Sequence, residues 1–208
     1  MLKGKFITFE GGECTGKTSI IIELEKALKE KGYKVIVTRE PGGIDIAEQI
    51  RNIILNPENT KMTSETEALL YAASRTQHLK EKVIPALEEG YIVLCDRYLD
   101  SSLVYQGIAR GLGRESVLNI NYFATKYMPD LTIFIDVEPE IALKRLDNRQ
   151  GKVDRLDSET LDFHKLVYNG YKELANEYKE RIVSIDGTKP LEEVIKDSIE
   201  LVEKFLEK

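Results

Sequence analysis

Within the stretch FEGGECTGKT, residues 9–18, Gly11, Gly16, Lys17 and Thr18 satisfy the spacing G-x-x-x-x-G-K-[ST]. Residues of these types at this spacing hold phosphate. Glycines let the backbone curl until successive N–H groups point inward at phosphate oxygens. A helix starting at the loop adds partial positive charge at its N-terminus. The Lys17 ammonium is placed to reach the β- and γ-phosphates of ATP, and the Thr18 hydroxyl to ligate Mg²⁺. The ATP-binding loop is thus read as Gly11, Gly12, Glu13, Cys14, Thr15, Gly16, Lys17, Thr18 and Ser19. Glu13 is out of character there, because a carboxylate beside ATP phosphates is repulsive. It is expected to turn out of the loop toward a neutral or donor group such as a sugar hydroxyl; the ordinary alternative is a solvated loop acid. Cys14 is given no role. A thiol at a helix N-terminus can be reactive, but an inert small side chain fits the position equally.

A second set of cations follows. Arg39 ends the next apolar run in TREPGG, Arg51 lies on the helix after it, Arg75 sits in LLYAASRTQHL, and Arg97 follows a strand in CDRY. Ligands bind beyond the carboxyl ends of strands in open α/β sheets, and the planar guanidinium fork matches phosphate. Singly, each arginine reads as a surface residue or structural ion pair; Arg97, at a strand terminus, is the one placed best for chemistry. Asp96 ends the strand YIVLCD, where a carboxylate can hold Mg²⁺ through its waters. Asp136, ending LTIFID, competes for that task.

These groups need elements to position them. The runs Lys5–Glu10, Tyr33–Thr38, Tyr91–Asp96, Leu131–Val137 and Arg181–Asp186 are short, apolar and rich in β-branched residues. Near-continuous apolarity marks strands covered on both faces, hence a parallel sheet. Ile20, Leu24, Ala27 and Leu28 share one helical face, which Gly32 can terminate. Leu69, Ala72, Ala73, Thr76 and Val83 trace a face of a long helix that Pro85 interrupts. Phe163, Leu166, Val167, Leu174 and Tyr178 define a late helix, and residues 191–208 a closing amphipathic one. Strand–helix alternation predicts an α/β, three-layer fold: a five-stranded parallel sheet with helices on both faces, in one domain of 208 residues. The charged, aperiodic stretch 147–157 is expected to be a surface loop.

The formal net charge of −6 argues against non-specific nucleic-acid binding, which needs a basic face. No apolar run is long enough to span a membrane. Two cysteines, Cys14 and Cys95, give no disulfide framework, which points to a reducing, cytoplasmic setting. His78 and His164 are the only histidines, too few for a histidine-rich metal site, and are read as structural or solvent-facing.

Taken in order and spacing, FEGGECTGKT, TREPGG, LLYAASR, DRYLDSSLVYQG and DRLD resemble the thymidylate kinase family of P-loop nucleoside monophosphate kinases, from Lys5 to about Tyr178. DRY followed by SSLVYQG is more specific than the phosphate loop, which many unrelated NTPases share. The resemblance implies Mg²⁺-dependent transfer of the ATP γ-phosphoryl group to dTMP, giving dTDP and ADP, and a homodimer. It implies that Glu13 faces the sugar 3′-hydroxyl, and that Arg39, Arg51 and Arg97 surround the monophosphate. Tyr71 would stack on thymine and Arg75 would bond a base carbonyl. Ser102 and Gln106 would lie near the base edge, with Tyr105 against the sugar 2′ position. Thr18 and Asp96 would serve the metal. Cys14 stands where some relatives carry a loop arginine. The cations of the lid segment, at about 145–157, thus place this chain with the other subclass. Lys17, Arg97, Arg149 and Arg155 are the catalytic candidates.

Two rivals remain at this level. Another nucleoside monophosphate kinase or a deoxynucleoside kinase would share the loop and lid, but not Tyr71, Arg75, DRY and SSLVYQG together. A nucleotide-dependent switch would carry an N-K-x-D strand end or an extra early lysine, and the sequence has neither.

Overall fold

Five strands, each apolar along nearly its whole length, form one sheet: β1 (Lys5–Glu10), β2 (Val35–Arg39), β3 (Ile92–Asp96), β4 (Leu131–Asp136) and β5 (Ile182–Asp186). The computed structural model describes residues 3–147, 155–156 and 158–207. The strand order is β2-β3-β1-β4-β5, with every pairing parallel. Each strand begins or ends within two residues of its expected bounds. The register sets Arg39 of β2 and Phe9 of β1 both opposite Asp96 of β3. The carboxyl ends of the three strands therefore open onto one edge, where the phosphate loop departs.

Helices cover both faces. α1 (Lys17–Glu30) runs from the loop and buries Ile20, Ile21, Leu24 and Leu28 against β1, β3 and β4. The opposite face is covered by α2 (Asp45–Leu55), α3 (Ser64–His78), α4 (Ile84–Glu88), α5 (Leu99–Ser102) and α6 (Arg114–Ile120). After β4 come α7 (Pro139–Asp147), α8 (Leu161–Glu177) and the closing α9 (Leu191–Leu206), which packs on α1. Thr63 and Thr160 cap α3 and α8 through hydroxyls that accept from Thr66 N and Phe163 N. Among the described residues no helix is long and apolar enough to cross a membrane.

The long second helix departs from expectation. Leu69 and Ala73 are exposed, whereas Glu67, Ser74, Arg75 and His78 are buried. An apolar stripe misjudges this helix because its inner face carries a polar network. His78 is fully enclosed, the structural of the two readings open to it. Pro85 does interrupt the helix, but as a change of winding. The turns Leu79–Val83 are π-helical before α4 begins, and Pro85 lacks the N–H that a regular ladder would use. A second π-helical stretch, Leu103–Ala109, continues α5. On α8, Leu166 is exposed while Phe163, Val167, Tyr171 and Leu174 form the buried stripe.

Candidate active site

A cavity of about 560 Å³ lies at the carboxyl edge of the sheet. The phosphate loop forms one wall. Gly11 stands at φ 141°, and a Cβ there would meet the Ile135 carbonyl at 2.8 Å, so the turn into the loop requires glycine. Gly16, at φ 96°, delivers the chain into α1. Lys17 Nζ donates to the Gly12 carbonyl at 2.7 Å, and to the Gly11 carbonyl and Thr15 Oγ1 at 3.3 Å. Burial, then the nearby Arg97 charge, pulls the ammonium pKa down against the pull of Asp96 and Glu13. Cys14, Thr15, Gly16, Thr18 and Ser19 also line the cavity; Gly11 and Gly12 contribute backbone behind it.

Asp96 and Arg97 form the second wall. Thr18 Oγ1 donates to Asp96 Oδ2 at 3.2 Å, while Asp96 Oδ1 is buried and takes no hydrogen bond among the described residues. A hydroxyl and a carboxylate oxygen thus face the loop together. Asp136, the competing carboxylate, is paired with Lys172 at 2.8 Å. Arg97 holds φ 68°, a left-handed conformation that costs a non-glycine residue roughly 1–3 kcal/mol. Arg97 N donates to the Phe9 carbonyl at 2.9 Å, and the buried Glu10 accepts the next amide, Tyr98 N, at 2.7 Å. Glu10 also accepts from Ser101 Oγ at 2.6 Å and Tyr171 OH at 2.8 Å. Burial and the charge of Asp100 raise its pKa to about 7.

Glu13 leaves the loop as expected. Its Oε1 meets Arg97 Nη2 at 2.6 Å and accepts from Tyr105 OH at 3.0 Å. Burial alone would raise its pKa, but Arg97, Lys17 and the Tyr105 hydroxyl hold it at about 2. It stays ionised and clamps Arg97 across the cavity.

Around the remaining wall lie Arg39, Arg51, Tyr71, Arg75, Ser102 and Gln106. Arg39 pairs with Glu48 at 2.9 Å and Arg51 Nη1 donates to the Pro41 carbonyl at 2.8 Å. Arg75 is nearly enclosed: Nε bonds Glu40 Oε2 at 2.6 Å, Nη1 bonds Asn121 Oδ1 at 2.6 Å, and Nη2 bonds the Tyr98 carbonyl at 3.1 Å. Behind it His78 donates from Nδ1 to Glu40 Oε1 at 2.9 Å and its Nε2 meets Thr38 Oγ1 at 2.7 Å. The structure brings Arg39, Arg51, Arg75 and Arg97 to one cavity with Lys17.

Two lid candidates fare differently. Arg149 lies outside the described residues. Arg155, expected as a catalytic cation, is not among the cavity-lining residues; it bonds Glu67 Oε2 at 2.5 Å and the Ile54 carbonyl at 2.9 Å. Arg145, on α7, does line the cavity and donates to the Gly187 carbonyl at 3.0 Å. Sequence reading counts Arg145 among the lid cations but prefers Arg149 and Arg155 to it, and it missed Glu10, Glu40 and Glu67 as supports. A charged residue ending an apolar strand was the available signal for Glu10; nothing periodic singled out Glu67.

A profile of the family described as thymidylate kinase matches residues 9–199. The thymidylate kinase of Geobacillus thermodenitrificans is 55% identical over 208 residues, covering 99% of this chain and 92% of that protein. That of Geobacillus sp. is 53% identical over 203 residues, covering 97% of each. The thymidylate kinase of Bacillus velezensis is 54% identical over 209 residues, covering 100% and 99%.

Proposed function

The chain belongs to the thymidylate kinase family, and from that premise we propose which of its groups carry the transfer of the ATP γ-phosphoryl group to dTMP. The observation that carries this assignment is that guanidinium groups from β2, α2 and the turn after β3 face the same cavity as the Lys17 loop. Two polyanions must meet there, and phosphoryl transfer asks for position and neutralising charge more than covalent help. An acceptor phosphate is already an oxyanion at neutral pH, so no general base is needed.

Lys17 and the loop amides hold the β- and γ-phosphates. Arg39, Arg51 and Arg97 hold the acceptor monophosphate. The carboxylate of Glu13 orients Arg97 and faces the sugar 3′-hydroxyl with its second oxygen. Tyr105 flanks the sugar, Tyr71 stacks on the base, and Arg75, Ser102 and Gln106 read the base edge. The orphaned Asp96 Oδ1 beside Thr18 Oγ1 fits a magnesium site. No cluster of three or more acidic, His or Cys ligands exists among the described residues, as suits a cation held largely by phosphates and water. When bound, Mg²⁺ neutralises phosphate charge. The chain works as one kinase domain whose lid, at about 145–157, supplies late-arriving cations. Arg145 is at its start, Arg149 keeps the catalytic role the resemblance implies, and Arg155 anchors its end. We place the enzyme in the cytoplasm, in keeping with two cysteines that form no disulfide among the described residues, and as a homodimer.

A coupled assay for ADP over a panel of monophosphates tests this reading. ATP consumption is expected to depend on dTMP. Preference for AMP, UMP or an unphosphorylated nucleoside, or slow hydrolysis indifferent to dTMP, overturns it.

A further inference from the structure

Glu67 lies on α3 behind the cavity, is 1% exposed, and belongs to no motif. Its Oε1 accepts from Gln106 Nε2 at 2.8 Å and from Arg110 Nε at 3.3 Å. Its Oε2 accepts from Arg110 Nη2 at 3.2 Å and Arg155 Nη2 at 2.5 Å. Two guanidinium groups therefore keep it charged. Burial works against the ionised form, but the Gln106 bond and the arginines outweigh it and lower the pKa. An ionised carboxylate only accepts. The Gln106 corner that faces it must be the nitrogen, so the carbonyl oxygen is the corner left for whatever occupies the cavity. No described residue donates to that oxygen.

Arg75, on the same cavity, can only donate, and Glu40, Asn121 and the Tyr98 carbonyl fix its plane. We propose that Glu67 is a positioning residue for base selection: it locks the Gln106 amide so that an acceptor stands beside the donor of Arg75. A base edge that satisfies both carries a carbonyl next to an N–H, the 4-oxo pyrimidine arrangement of thymine and uracil. Cytosine presents an amine to the guanidinium and a bare ring nitrogen to the amide oxygen, two mismatches that leave polar groups unpaired. This rests on reading the Gln106 wall as the base site.

The test compares kcat and KM for dTMP, dUMP and dCMP in Glu67→Gln, Glu67→Asp, Gln106→Ala and Val202→Ala. A carboxamide at 67 donates as readily as it accepts, so the Gln106 amide is free to invert. Efficiency with dCMP relative to dTMP is then expected to rise roughly tenfold or more, mainly through KM. Glu67→Asp keeps the charge but withdraws it from Gln106, and moves the ratio the same way. Val202→Ala, in the α1–α9 core away from this network, is expected to lower thermal stability and leave the ratio alone, which separates base selection from general loosening. The proposal is overturned if folded Glu67→Gln or Glu67→Asp enzyme keeps the native dCMP to dTMP ratio while Gln106→Ala changes it. If Gln106→Ala itself leaves both KM and the ratio untouched, the base-site reading fails first, and the proposal with it.

Discussion

Glu10 and Glu13 sit three residues apart on one strand end and are pushed in opposite directions. Glu13, clamped by Arg97, is held at about 2; its share of stability is complete above its ordinary 4.5 and is lost as pH falls toward that low value. Glu10 is raised from 4.5 to about 7 by burial and by Asp100. The folded state thus keeps a proton that the unfolded chain releases, and stability falls as pH rises from 4.5 to 7. The full shift corresponds to about 3 kcal/mol. Urea unfolding of the wild type and of Glu10→Gln should therefore diverge across this span. The wild type loses on the order of 3 kcal/mol that the amide variant retains, since other titrating groups are common to both. Parallel curves would show that the Ser101, Tyr171 and Tyr98 hydrogen bonds keep Glu10 ionised in the fold. Of the two acids, only Glu13 was legible in the sequence, because a carboxylate inside a phosphate loop contradicts its surroundings. Glu10 ends an otherwise apolar strand, and its partners come from residues 98–101 and 171, which no local pattern brings together.

At the scale of elements, the strands were legible because burial on both faces leaves one kind of residue along the whole run. The winding of the helices was not. Leu103–Ala109 is a π-helical stretch that carries Tyr105 and Gln106, both on the cavity wall, and no periodicity in the sequence announces that winding. Its placement depends on α8 approaching closely at Gly170. A Cβ there would stand 3.0 Å from Ile108 Cδ1 and 3.1 Å from Val104 Cγ1. Alanine meets atoms that can yield by tenths of an ångström; valine adds branches that cannot fit. Gly170→Val is expected to destabilise by about 1–3 kcal/mol and to raise KM for dTMP, because the displaced turn holds Tyr105 and Gln106. Thermal unfolding with substrate kinetics checks both parts. A variant that loses stability but keeps its KM would show that α8 supports the core without setting the base wall.

The whole molecule carries a net charge of −6, yet among the described residues six cations, Lys17 and five arginines, line one cavity. The placement of Arg39 and Arg97 was legible from strand-end positions; Arg51 and Arg75, on helices, entered through the resemblance, and the assembly was not legible from the residues. An apolar helix face reads alike whether its own core or a second copy covers it. In the structure α2 and α3 pack together, and Ile46, Ile53 and Leu69 remain 50%, 48% and 56% exposed. Exposed aliphatic side chains gathered on a pair of packed helices mark a face suited to a partner, and these two helices also carry Arg51, Tyr71 and Arg75. If they form the dimer interface, charge introduced there should separate the protomers at little cost to the fold, since the positions lie outside the core. Ile53→Glu with Leu69→Glu is expected to halve the mass seen by sedimentation while preserving the circular dichroism spectrum. Arg51, Arg75 and Arg97 are each held by bonds within the chain, to the Pro41 carbonyl, Glu40 and the Gly11 carbonyl, so the separated protomer should retain turnover, losing activity only as far as α2 and α3 loosen. An unchanged dimer mass places the interface elsewhere, and a wild type that sediments as a monomer overturns the proposed homodimer. A monomer with native secondary structure and no activity would mean that the partner, rather than the α2–α3 contact within the chain, holds Arg51 and Arg75 in place.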